Sequence, residues 1–257
     1  MGTASAGKLK RFESDATADT TDPRPDLFYT TRVNVTRPNS VPDSLWTSFT
    51  SLGTPFRVDA GQLLWEPGDT REDESYLVVN GLVRLYHPSR GGSAVTLLAV
   101  GAGGLLGHHP ALQQHPYATG AEALCASQLF VLSAAKVSGW LQEKDDTGRI
   151  FVSWLREAVN GQLAETFARL ELEHDSAKVR VAHVLLALDR QALLDRMTRQ
   201  NLADLANLTL ETTVRNISQL VREGTLKSSH FTVLSEAERL ALAALLEPYE
   251  PADLPYT

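Results

Sequence analysis

Residues 198–220 read TRQNLADLANLTLETTVRNISQL, two short helices with an abrupt corner between them. Thr198 can cap the first helix, and Leu202, Ala203, Leu205 and Ala206 supply its buried side. Ala203 is small enough to let a second helix come close. Asn207 follows, and asparagine is among the few residues besides glycine that accept a left-handed backbone, so it ends the helix and turns the chain. Leu208 plugs the corner. Thr209 caps the second helix, with Glu211 and Thr212 in its first turn. Leu210, Val214, Ile217 and either Leu220 or Val221 are expected to face inward, which leaves Thr212, Arg215, Asn216 and Gln219 outward. Arginine pairs with guanine, asparagine or glutamine with adenine, and glutamate accepts from cytosine. That face suits a duplex groove. A helical hairpin that binds nothing is the alternative, but it has no use for such an outer face.

Downstream, Glu223-Gly224 stops the second helix, and LKSSHFTVL at 226–234 reads as a wing hairpin. Ser235 to Glu238 fits a capping box opening a last helix, Glu236 to Leu246. Upstream, SAKVRVAHVLLALD at 176–189 is a helix capped by Ser176, with Val179, Val181, Ala182, Val184, Leu185 and Leu188 buried. Leu193 to Met197 is expected to be a short strand. Residues 134–174 are helical: Phe151, Leu155, Ala158, Val159, Leu163, Phe167 and Leu170 cover about half the circumference at about 100° per residue. A helix packed only on its own domain needs a narrower stripe. The same helix of another copy, in a parallel two-fold pair, is the economical second partner; burial within one chain is the alternative.

From about 54 to 133 the pattern is one of short strands. In SYLVVNGLVRLYH, 75–87, two β-rich runs flank Asn80-Gly81, which supplies the positive φ of a tight hairpin. Glu66-Pro67-Gly68-Asp69 is another turn, Ser89 to Ser93 a third, and further strands are expected at 94–100, 118–124 and 127–132. Many short strands with regular turns suggest a compact antiparallel roll or barrel. Before them, PDSLWTSFTS at 43–52 reads as a helix capped at Asp43 or Ser44. Residues 1–44, rich in Thr, Asp, Pro, Ser and Arg, bury too little to offset chain entropy and read as a mobile arm, with a short ordered piece around Leu27 to Val33.

Apolar and charged fractions of 43% and 21% are those of ordinary globular proteins, so real cores can form. No apolar run reaches membrane-spanning length, and no apolar segment follows the first basic residues, so a cytoplasmic address is expected. The one cysteine, Cys125, excludes an internal disulfide and a four-thiolate cluster and reads as a small buried strand residue. The formal net charge of −7 argues against indiscriminate nucleic-acid binding but not against a local basic face. No nucleophile with a neighbouring base and no phosphate-cradling loop is visible, so no enzyme is expected.

Taken with Pro67-Gly68-Asp69, YLVVNGLVRLY at 76–86, GGLLG at 103–107 and Arg199-Gln200-Asn201-Leu202-Ala203 through Glu211-Thr212 to Arg215, the layout from about 54 to 246 resembles the Crp/Fnr family of bacterial transcription regulators. The resemblance implies an α+β chain: a mobile arm at 1–44, an antiparallel β-roll of the cyclic-nucleotide-binding, double-stranded type at 45–140, a dimerisation helix at 141–175, a winged helix–turn–helix at 176–246 and a tail at 247–257. The pairing helix would use Leu155, Val159, Leu163, Phe167 and Leu170.

By the same resemblance Glu211 and Arg215 read bases in the major groove, Arg199 and Thr209 touch phosphates, and Thr212, Asn216 and Gln219 complete the surface. Leu210 stands where members often have arginine, so the target site is expected to differ. Thr213 replaces a usual apolar residue, which points to a rotated or loosely packed helix. In the effector pocket the family's Gly-Glu becomes Gly107-His108 and its Arg-Ser becomes Tyr117-Ala118, with Thr166 nearby on the long helix. A buried phosphate without its arginine is costly, so cyclic AMP is not expected to bind in the usual way. No cofactor and no metal is expected; His108, His109 and His115 could hold haem or a metal, and solvated loop histidines are the plainer reading. The implied partners are double-stranded DNA at an inverted repeat, a second copy and RNA polymerase. A haem or small-molecule sensor acting through protein contacts, with a degenerate DNA-binding unit, is the other reading, and action without any ligand a third.

Overall fold

The computed structural model describes residues 40–69, 74–89, 94–107, 116–142, 146–230 and 232–246. The arm with its piece around Leu27 to Val33, the tail, and His108, His109 and His115 lie outside the described residues. Helix α1 (Asp43–Leu52) opens the described chain. Its N-cap is Pro42 with no side-chain cap, because Asp43 and Ser44 are already helical and Trp46 N–H donates to Pro42 O at 2.9 Å.

Eight strands follow: β1 (Thr54–Val58), β2 (Leu63–Trp65), β3 (Glu74–Asn80), β4 (Val83–Pro88), β5 (Ala94–Val100), β6 (Leu105–Leu106), β7 (Gly120–Ala123) and β8 (Ser127–Ser133). They form two antiparallel sheets, ordered β1-β8-β3-β6 and β2-β7-β4-β5. Asn80-Gly81 is therefore not a hairpin. It carries the chain from one sheet to the other, with Gly81 at φ +107°, and a side chain at Gly81 would strike Ser127, whose Oγ accepts from Leu82 N–H at 3.2 Å. The hairpin is instead β4–β5, with Val83 opposite Val100 and Pro88 opposite Ala94.

Strand alternation sorts the core. On β3, Tyr76 and Val78 enter the space between the sheets with Trp65, Val83, Val100 and Leu129. Leu77 and Val79 face the other way and meet Leu45, Phe49, Phe130, Trp140, Phe151, Trp154 and Leu155. Both faces of β3 are thus covered, which is why it reads as an unbroken apolar run. Cys125 is buried in the bend between β7 and β8 rather than in a strand.

Helices α2 (Ala134–Gln142) and α3 (Asp146–Leu172) come next, then α4 (Ala177–Arg190), α5 (Arg199–Ala206), α6 (Leu210–Arg222) and α7 (Glu236–Ala243). The region 134–174, expected to be helical, holds two helices, and the long one runs from Asp146 to Leu172. Leu194–Arg196 is a short 3₁₀ turn, not a strand; Leu193 and Leu194 are both buried, on consecutive positions that strand alternation would have sent to opposite faces. α7 stops at Ala243, short of Leu246. No strand forms among the described residues of 226–234. Glu238 holds that segment instead, accepting from Lys227 N–H at 2.9 Å and Ser235 N–H at 2.8 Å. Burial raises the pKa of Glu238, but these backbone donors and the Ser235 hydroxyl more than reverse it, and the carboxyl titrates below its usual range.

Candidate nucleic-acid interface and effector site

The corner is built by capping. Thr198 and Asn201 form a reciprocal box at the start of α5, and Thr209 Oγ1 accepts from Thr212 N–H at 3.2 Å at the start of α6. Asn207 is left-handed, φ 50° and ψ 45°. Arginines outside the motif satisfy the last carbonyls of α5: Arg169 Nη1 donates to Leu205 O at 2.9 Å, Arg180 Nε to Ala206 O at 2.9 Å and Arg180 Nη2 to Asn207 O at 2.8 Å. Cations at a helix C-terminus complement its dipole. Burial pulls the Arg169 pKa down, opposed by Glu165 at 3.0 Å.

On α6 the buried face is Thr213, Asn216, Ile217 and Leu220. It is turned by about one residue from the face expected. Leu210 and Val214, expected inward, are 43% and 42% exposed. Asn216, expected outward, is buried, and its amide donates to Thr212 O at 2.8 Å. Thr213 fits without looseness because its hydroxyl donates to Thr209 O at 3.1 Å. The outer stripe is Glu211, Arg215, Ser218 and Arg222, spaced four, three and four, with Thr209 exposed at its head and Gln219 half-covered. Ser218 and Arg222 were not singled out by sequence; their i+3 and i+4 spacing from Arg215 was the available signal. Arg215 makes no ion pair with any described residue. Thr212 is half-buried, its hydroxyl 2.9 Å from Thr209 Oγ1. Arg199 is partly buried, which lowers its pKa.

The long helix α3 divides along its length. Phe151, Trp154 and Leu155 are buried against the roll, so Leu155 is not available to a second chain. Beyond them Gln162 Nε2 donates to Leu105 O at 2.8 Å. On another side Leu163, Phe167 and Leu170 are 51%, 55% and 55% exposed, and Val159 is also exposed.

In the roll, Tyr117 is a core residue. Its ring stacks on Trp65, and its hydroxyl donates to Glu74 O at 3.3 Å. Gly107, at φ +71°, backs onto Glu74 O and the Tyr117 hydroxyl, leaving no room for a side chain. Ala118 is exposed, and its carbonyl lies 3.2 Å from His87 Nδ1. Thr166 Oγ1 donates within its own helix to Gln162 O at 2.8 Å. The structure thus brings Gly107 and Tyr117 together and leaves Ala118 and Thr166 apart from that contact; His108 is outside the described residues. No described residue there offers a cyclic phosphate a guanidinium. A separate cavity of about 570 Å³ lies between the turn at Gly101–Gly104, α3 at Glu157, Gln162 and Glu165, and α4 at Leu188.

No helix among the described residues is long and apolar enough to cross a membrane. A family profile for the cyclic nucleotide-binding domain matches residues 55–144, and one for the Crp-like helix–turn–helix domain matches residues 179–242. The cyclic AMP receptor protein of Thermus thermophilus is 30% identical over 175 residues, 67% of this chain and 77% of that protein. The structure of FixK2 from Bradyrhizobium japonicum superposes with a TM-score of 0.61 at 25% identity, covering 76% of this chain and 97% of that one. A CRP/FNR-family transcriptional regulator of Thermus thermophilus superposes at 0.57 with 25% identity, covering 75% and 98%. The chain belongs to the Crp/Fnr family of transcription regulators, with a cyclic nucleotide-binding-type β-roll and a Crp-like helix–turn–helix DNA-binding domain.

Proposed function

We propose that two copies pair along α3 and bind an inverted-repeat DNA site, without cyclic AMP held in the family's usual manner. One observation carries the reading: the outer stripe of α6, with Arg215 at its centre, is exposed, and Arg215 is not tied up in an ion pair with any described residue. Glu211 and Arg215 are the base-reading pair, Thr209 and Arg199 the phosphate contacts, and Thr212 and Gln219 the flank. Asn216 supports the helix from inside and does not reach a base. Leu210 and Val214, exposed on α6, are apolar contacts for thymine methyls. Pairing through Val159, Leu163, Phe167 and Leu170 is supported by their spacing and exposure along one side of α3. It would set the two recognition helices about 34 Å apart, one turn of duplex. A cytoplasmic regulator that also meets RNA polymerase is the family's habit and fits this reading. Selection from random duplexes, followed by gel shift, tests it. The wild type should enrich an inverted repeat, and Arg215→Ala should lose about 1–3 kcal/mol of discrimination at one base of each half-site. Failure to enrich any duplex at low salt would remove the reading.

A further inference from the structure

Two kinds of contact join the helix–turn–helix to the roll of its own chain. One is apolar: Leu82, Leu124 and Cys125 at the tip of the roll share a core cluster with α4, α5 and α6. Such contact is non-directional; it holds two bodies together without fixing the angle between them. The other is directional. Strand β5 is the outer strand of its sheet, and Asn207 occupies its edge. Asn207 Oδ1 accepts from Thr96 N–H at 2.7 Å, and Nδ2 donates to Thr96 O at 3.0 Å. A side-chain amide offers one acceptor and two donors, so it stands in for the strand neighbour that an edge lacks. Its second hydrogen goes to Glu173 Oε1 at 2.8 Å, just past the end of α3.

One side chain at the corner therefore touches the edge of the roll and the end of the long helix together. The neighbouring tie is ionic. Arg84 on β4 is held by Glu122 at 2.6 Å, and its Nη1 lies 3.1 Å from Asp204 Oδ2 on α5, paired by charge but off the angle of a hydrogen bond. The left-handed turn needs none of this. Glycine takes φ 50° at least as readily, so the Asn207 side chain is surplus to the corner and is used at the edge.

We infer that Asn207, backed by Asp204, is a positioning residue for DNA binding: its amide clasps the roll at Thr96 and sets the angle at which α6 is presented. The inference rests on the paired, DNA-binding reading above. In a pair of copies a loose angle spreads the separation of the two recognition helices, whereas a fixed one selects a single half-site spacing.

The test has two arms on the full chain. Hydrogen exchange at the Thr96 amide, without DNA, reads the clasp alone. Asn207→Gly keeps the turn and removes the amide; exchange at Thr96 should speed by about tenfold, the worth of one or two net hydrogen bonds, with α5 and α6 amides unchanged. The second arm selects duplexes carrying two half-sites at varied separations. The wild type and Thr96→Val, which loses only a buried hydroxyl that has no partner, should enrich one spacing; Asn207→Gly should enrich several while binding a single half-site as before. Unchanged Thr96 exchange in Asn207→Gly overturns the clasp. Faster exchange with the single spacing retained overturns the positioning role. If the wild type enriches no duplex, the DNA-binding reading fails and the exchange arm still decides the clasp. Where Asn207→Gly also loosens α5, Asn207→Asp decides instead: it keeps a residue that accepts the left-handed turn but sets a carboxylate against Thr96 O and Glu173, so broadened spacing upholds the role and unchanged spacing overturns it.

Discussion

Tyr117 lies face to face with Trp65, their ring centroids 4.3 Å apart and their planes 18° from parallel. The pair is locked at both ends. Trp65 Nε1 donates to Thr119 O at 2.8 Å, and Tyr117 exchanges backbone bonds with the Gly68–Asp69 turn, donating to Asp69 O at 3.0 Å and accepting from Gly68 N–H at 2.7 Å. The stack makes Tyr117 part of the core between the two sheets. Tyr117→Ala should cost about 3–5 kcal/mol of stability. Tyr117→Arg should destabilise as well, since it buries a guanidinium within an aromatic core, and should not create a nucleotide site. Thermal melts check both, and cyclic AMP should leave the wild-type Tm unmoved. A concentration-dependent rise in Tm would contradict this.

The exposed side of α3 yields a second prediction. Leu163 and Phe167 are one helical turn apart and more than half exposed, and the proposed pairing of two copies would bury them. Leu163→Glu with Phe167→Glu should leave a folded monomer, because neither side chain supports the roll. Sedimentation would read the mass. Affinity for the inverted repeat should fall by about a hundredfold or more as the two half-sites lose their tether. A double variant that remains dimeric would move the interface elsewhere.

Recognition of thymine can be isolated without touching the protein. Leu210 and Val214 present exposed apolar surface on α6. If they meet thymine methyls, replacing the facing thymines of the selected site by deoxyuridine should weaken binding by about 0.8 kcal/mol per methyl. Val214→Ser with Leu210→Ser should abolish that difference. Equal affinity for both duplexes would mean that these side chains face backbone or solvent.

Much of this molecule was legible in the sequence, and the limits have physical causes. The caps at Ser176, Thr198, Thr209 and Ser235, and the left-handed Asn207, are local chemistry, and local chemistry survives into the fold. Which face of α6 turns inward was not legible. Thr213 and Asn216 bury because their polar atoms return to carbonyls four residues back, an option that binary patterning does not count. The Asn80-Gly81 turn was visible, but not its partners: a tight turn can close a hairpin or cross between sheets, and the choice rests on Ser127, distant in sequence. The arginines that cap α5 from α3 and α4 were hidden for the same reason.

His183 on α4 offers a test by pH. Its Nε2 is buried without a hydrogen-bond partner, in a small cavity with Arg169 and Glu173 from the end of α3, Arg180 from α4 and Asn207 from the corner. Burial pushes its pKa below the usual 6.5; Glu165 opposes the shift, and Arg169 and Arg190 add to it. The folded chain therefore keeps this ring neutral where the unfolded chain would protonate it. Below about pH 6.5 the unfolded state binds more protons, so the contribution to stability, complete above that value, is lost as pH falls toward the depressed folded pKa. Urea unfolding at steps from pH 7.5 to 5.5 should show wild-type stability declining in the lower half of the range. His183→Leu removes both the titration and the orphaned nitrogen, so its decline should be shallower and its stability at pH 5.5 at least that of the wild type. Parallel curves for the two proteins would show that His183 titrates alike in both states, in contradiction to its burial.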